Sequence, residues 1–356
     1  MTATVFTPPS GPRSVIRPGD AGSSLLGAFG ERPIARIDTG GALQLLSSKW
    51  TLDFWIAAED RLHTPASDSA VRQGRMGPGP VIRTAVRVPG GDIVQRAWVA
   101  PLSQGSGVVV EFENETATPV GLALSVRPFD LEGARSSPQV TLASDRIDLP
   151  DATIWLSSEH RDTIPELDAV VIPLPHKATV RIVIAESDAS FSPDRPLPSA
   201  GDAVRGWEAL VTSKTRVTLP DDGMTTLFDR SRGRLSLSTH DLALRVAAIE
   251  PDAGDELVAL CLGGMERDAV EVVRALLADL WTPPRLKRNA DPQPLAAVLD
   301  GIAWTIAMYT PTWAEEFLPA AIQIASSIAR RDGGPLRDRV HSALARITAS
   351  TRVNLP

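Results

Sequence analysis

The densest group of side chains that could carry chemistry lies in one short stretch of the chain. It combines two indole rings, three carboxylates and an imidazole: Trp50, Asp53, Trp55, Glu59, Asp60 and His63. An indole ring can cover the apolar face of a sugar while a neighbouring carboxylate binds its hydroxyl groups. The stretch is therefore predicted to bind a carbohydrate, with packing at a sheet edge or between domains as the alternative.

A strand over residues 51–57 would position these groups. Asp53 and Trp55 would then share one face, because successive side chains of a strand point to opposite sides. Trp50 would lie where the strand begins. His63 starts a His-Thr-Pro turn, where a lone histidine is more often structural than a general base.

Glycoside hydrolysis requires two carboxyl groups, roughly 5–5.5 Å apart for retention or 6.5–9.5 Å apart for inversion. Two adjacent pairs, Asp221-Asp222 and Glu315-Glu316, lie where helices are predicted to begin. Capping and the helix dipole explain both pairs. Asp291 precedes a helical hairpin and is a further candidate for ligand binding, with a turn or capping role as the alternative. Spacing alone therefore nominates no acid–base pair.

Several other kinds of site are not predicted. The remaining histidines are scattered without metal-ligand spacing, at His160, His176, His240 and His341. The single cysteine, Cys261, lies between two leucines and is interpreted as a small buried residue. Nucleotide-binding glycine motifs, an esterase elbow and a zinc-protease motif are all missing from the sequence. We therefore predict no metal and no cofactor.

The charge balance restricts the partners. The net charge is -7 and no basic block occurs, so a nucleic-acid partner is not expected. No apolar run reaches the ~18 residues that a membrane span requires, and no segment resembles a secretory signal. These features predict a cytoplasmic protein without a membrane partner.

Residues 31–190 have the pattern of a β-domain. Short apolar segments follow one another and are separated by turns, including Pro-Gly-Gly-Asp at residues 89–92. This arrangement predicts an antiparallel β-sandwich. Arg83, Arg87 and Arg96 could bind an anion from one sheet face, but a solvated face paired with Glu111 and Glu113 explains them more simply.

Residues 200–350 have the pattern of antiparallel helical hairpins. Apolar residues recur at helical spacing in successive segments, for example from Ala269 to Leu280 and from Leu295 to Ile306. Short breaks at Gly263-Gly264 and around Pro311 separate these segments. A mobile arm over residues 1–30 and a linker over residues 191–199 complete the predicted domain organisation.

This layout is similar to the six-hairpin glycosidase group, whose members place a β-sandwich before an α/α toroid. The likeness rests on Gly206-Trp207-Glu208, a Leu-Pro-Asp-Asp turn at residues 219–222 and the Gly-Gly-Met-Glu-Arg-Asp-Ala segment at residues 263–269. Residues 50–72 and 86–98 also resemble the sandwich domain of uncharacterised actinobacterial proteins of this type. The resemblance implies a carbohydrate-related function.

The chain departs from that group in length. Helical hairpins of ~34–47 residues would need about 200–280 residues to make six, whereas 156 residues follow Ala200. The helical domain is therefore predicted to be a partial toroid, completed by a second copy or by another chain. The leading hypothesis is a non-catalytic or vestigial glycosidase-like protein that acts through carbohydrate binding or assembly. The alternatives are an active carbohydrate enzyme with carboxylates in the cleft between domains, and a structural scaffold.

Overall fold

The computed structural model describes residues 23–128, 140–143, 145–156, 162–164, 169–192, 196–212, 217, 219–248, 253–282, 285–286, 292–309, 312–331 and 334–351. Within that part, the chain forms two compact units. The first contains residues 23–28 and Pro33–Glu208, and the second contains Phe29–Arg32 and the residues from Ala209 onward. Most of the predicted N-terminal arm lies outside the described residues.

The first unit is built from short strands. In chain order they are β1 (Ser24–Leu26), β2 (Ala35–Ile37), β3 (Leu43–Leu45), β4 (Trp50–Ala57), β5 (Leu62–His63), β6 (Val71–Arg75), β7 (Ile82–Val88), β8 (Gly91–Pro101), β9 (Ser106–Asn114), β10 (Val120–Pro128), β11 (Thr141–Leu142), β12 (Arg146–Asp148), β13 (Ala152–Leu156), β14 (Asp162–Ile164), β15 (Ala169–Leu174) and β16 (Thr179–Glu186).

These strands form two sheets, and every described strand pairing in them is antiparallel. The first sheet has the order β1-β2-β3-β4-β10-β15-β14, with β5 beside β4, and the second has the order β11-β12-β13-β16-β9-β8-β7-β6. One hydrophobic core contains residues of both sheets. Phe54 of β4 meets Phe112 of β9 there with ring centroids 5.0 Å apart. The predicted antiparallel β-structure is therefore present.

The hairpin predicted at residues 89–92 is confirmed. Val88 of β7 pairs with Gly91 of β8 around a two-residue turn. Gly90 adopts a φ of 83° in that turn, a conformation that glycine reaches without steric cost. The face of β7 that carries Ile82, Thr84 and Val86 is buried.

The helices follow the strands along the chain. They are α1 (Ala200–Thr212), α2 (Asp222–Ala247), α3 (Ala253–Leu262), α4 (Glu266–Leu280), α5 (Pro292–Tyr309), α6 (Thr312–Arg331) and α7 (Pro335–Thr351). Two short strands, β17 (Trp281–Thr282) and β18 (Arg285–Leu286), lie between α4 and α5. Residues 235–247, whose pattern fits a strand or a helix, belong to the 26-residue helix α2. No helix in the described ranges has both the length and the apolar character needed to cross a membrane.

Helix α5 occupies the centre of the second unit. It packs against α2, α3, α4, α6 and α7, and residues 295–303 are buried without interruption. A helix that is apolar on all sides is typical of a buried position. The apolar stripes predicted from Ala269 and Leu295 belong to one core made by these helices.

The division between the units falls inside α1, at Glu208 and Ala209, whereas the sequence favours a linker over residues 191–199 and a helical domain from residue 200. The start of α1 packs on the first unit. A Cβ atom at Gly79 would lie 2.0 Å from Cγ of Trp207, and one at Gly77 would lie 2.9 Å from a methyl group of Val204. This close approach is a long-range contact that the helical pattern of α1 does not reveal.

Candidate functional site

The first tryptophan of the predicted cluster lies inside the core of the first unit. Trp50 is 2% exposed and packs with Leu52 and Phe54. Its indole N–H donates a hydrogen bond to Oδ1 of Asp151, 2.7 Å away. Both the ring and its polar atom are therefore used within the β-unit, as the packing alternative requires.

Asp53 and Trp55 lie on the opposite face of β4, as the strand alternation predicts. Both are buried. Nε of Arg127, from the neighbouring strand β10, lies 3.2 Å from Oδ2 of Asp53, and the same guanidinium lies 4.6 Å from the centroid of the Trp55 ring. The backbone N–H of Phe54 also donates to Asp53. The carboxylate and the ring thus bind the same arginine.

His63 is held between two carboxylates. Its side chain is buried, with Nε2 3.0 Å from Oδ1 of Asp60 and Nδ1 3.1 Å from Oδ2 of Asp68. Arg61 donates to the same oxygen of Asp68 at 2.8 Å, and the hydrogen bond with His63 lowers the pKa of Asp60. Both ring nitrogens are therefore engaged by carboxylates of the same short segment. Glu59 is exposed beside this group.

Two of the other carboxylates named from the sequence have partners within the protein. Asp221 caps α2, where its side chain accepts a hydrogen bond from the backbone N–H of Met224, as predicted. Glu316 binds Arg274 through two hydrogen bonds of 2.8 and 2.9 Å. Asp291 lies outside the described residues.

The charged face of the second sheet is paired, as predicted. Arg96 lies 2.6 Å from Glu113 and 3.4 Å from Glu111, and Arg181 lies 2.8 Å from Glu111. Arg87 contacts Asp92 at 3.3 Å. Such a face is explained by solvation and cross-strand pairing. The guanidinium groups of this network already have carboxylate partners, which argues against a site for an external anion.

A different group of side chains meets at the turn between α3 and α4, and we call it the α3–α4 cluster. The turn reverses the chain at Gly264, whose φ is 75°, and the N–H of Met265 bonds the carbonyl of Leu260. Helix α4 then begins at Glu266 and carries the carboxyl groups of Glu266 and Asp268 in its first turn.

Three other helices complete the α3–α4 cluster. Tyr309, at the end of α5, donates its hydroxyl hydrogen to the carbonyl groups that end α3. Trp313, at the start of α6, donates its indole N–H to Oε1 of Glu266 at 3.1 Å. Arg232 of α2 is buried and lies 3.8 Å from Asp229. The cluster thus brings together two acids of α4, a guanidinium group, a phenol and an indole, from four helices in all.

Asp268 is the member with an unusual environment. It is 8% exposed and accepts no hydrogen bond within the part of the chain that the structure describes. Burial, and then the charge of Glu271, raises the pKa of Asp268 to about 6. A carboxyl group with such a pKa can exchange a proton near neutral pH, as a general acid or base must.

The rest of the α3–α4 cluster shares this low-polarity environment. Burial lowers the pKa of Arg232, an effect that the carboxylate of Asp229 opposes. Burial also raises the pKa of Tyr309 above its ordinary range, and the charge of Glu266 adds to that rise. A ligand group that binds here would therefore exchange hydrogen bonds in a site largely shielded from water.

Cys261 is a buried thiol, as predicted. Its Sγ lies 3.8 Å from the carbonyl oxygen of Gly301 and 3.6 Å from the hydroxyl of Thr305. Burial raises the pKa of Cys261 to about 11, so the group stays protonated and a poor nucleophile. Across the described ranges, no three His, Cys, Asp or Glu side chains are grouped in a way that could hold a metal ion.

The sequence pattern did not single out the α3–α4 cluster. Its members are spread from Asp229 to Trp313, and only their packing unites them. Two signals were available: the Gly-Gly-Met-Glu-Arg-Asp turn and the fact that Tyr309 is the single tyrosine of the chain.

No known protein family matches the chain, and no curated protein matches it. Among solved structures, the chain is similar to a bacterial glucoamylase in complex with acarbose, with 8% sequence identity and a TM-score of 0.40. The alignment covers 94% of this chain and 69% of the glucoamylase chain. At that score the likeness is coarse and carries no argument about activity.

Proposed function

We propose that this chain binds a carbohydrate at the α3–α4 cluster and does not hydrolyse it. The observation that supports the proposal is Asp268, a buried carboxyl group without a hydrogen-bond partner in the described part of the chain. An unpartnered buried carboxyl group destabilises a fold. Sugar hydroxyl groups donate hydrogen bonds and would satisfy it.

The neighbours of Asp268 suit the same ligand. Arg232 supplies a buried cation, which can donate to sugar oxygens. Tyr309 is half-buried, and an aromatic ring can cover the apolar face of a sugar. The site would lie at one end of the helices, because α5 fills the centre of the unit. We also propose, as the finer description of the fold, a β-sandwich followed by a partial α/α hairpin domain.

We expect no hydrolysis because the second carboxyl group already binds a partner within the protein. Hydrolysis requires two carboxyl groups that both act on the scissile bond. Glu266, the nearest acid along α4, is held by the indole N–H of Trp313. This bond commits the second carboxylate to a structural contact.

An active carbohydrate enzyme is the second candidate, and one observation favours it. The raised pKa of Asp268, about 6, is the property of a general acid that works near neutral pH. In that mechanism Asp268 would protonate the leaving oxygen.

The experiment measures binding by calorimetry and by thermal shift with a panel of mono- and oligosaccharides, at pH 7. Asp268→Asn is compared with Asp255→Asn, a matched change of an exposed aspartate in the first turn of α3. We expect a binding sugar to raise the melting temperature of the wild type and of Asp255→Asn, and to leave Asp268→Asn unchanged. Equal binding by both variants would place the site elsewhere.

The same samples separate the remaining hypotheses. If no sugar of the panel shifts the wild-type melting temperature, the scaffold hypothesis replaces the proposal. Release of reducing ends by the wild type, lost in Asp268→Asn, would establish the enzyme instead. Because Asp268→Asn removes a destabilising charge, a loss of binding cannot be assigned to unfolding.

A further inference from the structure

The first third of α2 extends beyond the core of the second unit. We call residues 221–231 the α2 arm. From Asp222 onward, none of its residues is buried, and the first buried residue of α2 is Arg232. The arm is nevertheless a well-formed helix, because Asp221 caps it and caps of this kind stabilise a helix by about 0.5–2 kcal/mol.

The α2 arm carries an apolar stripe. Met224, Leu227 and Phe228 are spaced three and four residues apart, so they lie on one helix face. Met224 is 57% exposed and Leu227 is 65% exposed. Isolated exposed leucines are ordinary, but a stripe at this spacing is the anchor pattern of a helix that binds in a groove.

A groove of matching character lies elsewhere in the same unit. It has a volume of about 160 Å³ and runs between α6 and α7. Its walls are mainly apolar and are formed by Ile322, Ala325, Ser326, Ala329, Val340, His341 and Leu344. Small-molecule pockets are typically ~300–1,000 Å³, so this groove fits side chains of a helix better than a separate ligand.

The charges of the two surfaces are complementary. The arm carries Asp221, Asp222 and Asp229, and no basic residue occurs before Arg230. His341 lines the groove, and Arg330, Arg337 and the acidic Asp338 are exposed on the two helices that form it. Opposite charges at the rims would orient the helix and favour encounter.

We infer that the α2 arm of one copy docks in the α6–α7 groove of a second copy of this chain. The arm continues into the part of α2 that packs on α3, α4 and α5, which argues against docking within the same copy. A second copy is the partner that carries both complementary surfaces, the acidic arm and the groove between helices with exposed arginines. The two surfaces differ, so the association is head-to-tail and forms a ring or an open chain. This inference concerns assembly and is independent of the proposed sugar site.

The test is the mass of the protein in solution, measured by sedimentation velocity and light scattering over a range of protein concentrations. We expect the wild type to associate as concentration rises, and to associate less at high salt because exposed charges are screened. Leu227→Asp, on the arm, and Ala329→Glu, at an exposed groove position, should each give a monomer. Leu244→Asp is the matched control, since Leu244 is 67% exposed on the same helix outside the arm, and it should associate like the wild type.

A mixing experiment identifies the surfaces. Leu227→Asp keeps an intact groove and Ala329→Glu keeps an intact arm, so an equimolar mixture has one competent contact. We expect the mixture to form 1:1 pairs and nothing larger. A monomeric wild type at the highest concentration, association that survives Leu227→Asp, or a mixture that stays monomeric would each overturn the inference.

Discussion

Residues 50–68, which we call the β4 region, contain the same kinds of side chain as the α3–α4 cluster but use them differently. In the β4 region, Trp50 and Asp53 are buried and bind partners within the β-unit. In the α3–α4 cluster, the buried Asp268 has no hydrogen-bond partner in the described part of the chain. A largely buried carboxyl group with a raised pKa indicates a functional site more strongly than a dense cluster whose members bind one another.

The density of the β4 region has a structural cause. His63 closes the segment that follows β4 by binding Asp60 and Asp68. Local hydrogen bonds of this kind join residues that are close in sequence, and they therefore produce a dense pattern. The α3–α4 cluster unites distant helices, so its members appear isolated along the chain.

The largest effect on stability is expected when a large side chain is removed from the core around β4. Trp50→Ala should lower the free energy of unfolding by about 3–5 kcal/mol, because a large buried side chain is lost and Asp151 loses its indole partner. Denaturant unfolding measures this. Leu244→Ala, at an exposed position, is the control and should change stability by at most about 0.5 kcal/mol. A small loss of unfolding free energy in Trp50→Ala, together with a loss of sugar binding, would instead assign a ligand-binding role to the β4 region.

The second effect concerns Asp268 and pH. The folded pKa, about 6, lies above that of an unfolded aspartate, ~3.9, so this group favours folding fully below pH ~4. That contribution is lost as pH rises to about 6. Asp268→Asn should therefore raise the free energy of unfolding at pH 7 by about 1–3 kcal/mol.

Thermal unfolding from pH 4 to pH 8 checks the sign of this change in the free energy of unfolding. The difference between Asp268→Asn and the wild type should grow across that window, while Asp255→Asn follows the wild type. If Asp268→Asn is less stable than the wild type at pH 7, then Asp268 has a stabilising partner and the contrast with the β4 region disappears.

A smaller effect is expected at the histidine. His63→Ala removes the group between Asp60 and Asp68 and leaves the buried Asp68 with Arg61 as its charged partner. The expected loss is about 1–2 kcal/mol, and hydrogen exchange should become faster in residues 60–70. Unchanged exchange with altered sugar binding would indicate that His63 serves a ligand.

The smallest effect is expected on the paired sheet face. Arg87→Ala removes an exposed side chain that contacts Asp92 at 3.3 Å. Exposed ion pairs contribute about 0–1 kcal/mol, and the effect should vanish at high salt because of screening. A salt-independent loss larger than that of His63→Ala would show that this face carries more than surface pairing.

Local patterns in the sequence determined much of the fold. The antiparallel hairpin at residues 89–92, the cap at Asp221, the buried Cys261 and the paired Arg96 all follow from neighbours in the chain or from strand alternation. Each of these features depends on a periodicity or a motif that spans a few residues.

The tertiary structure alone decided which surfaces and groups became available. It buried the Trp50 ring in a core that β4 shares with the other sheet, and it packed Trp207 of α1 against Gly79. It also brought Arg232, Asp268 and Tyr309 together from three helices. The physical reason is that periodicity shows which face of an element is apolar, whereas the partner of that face comes from a distant part of the chain.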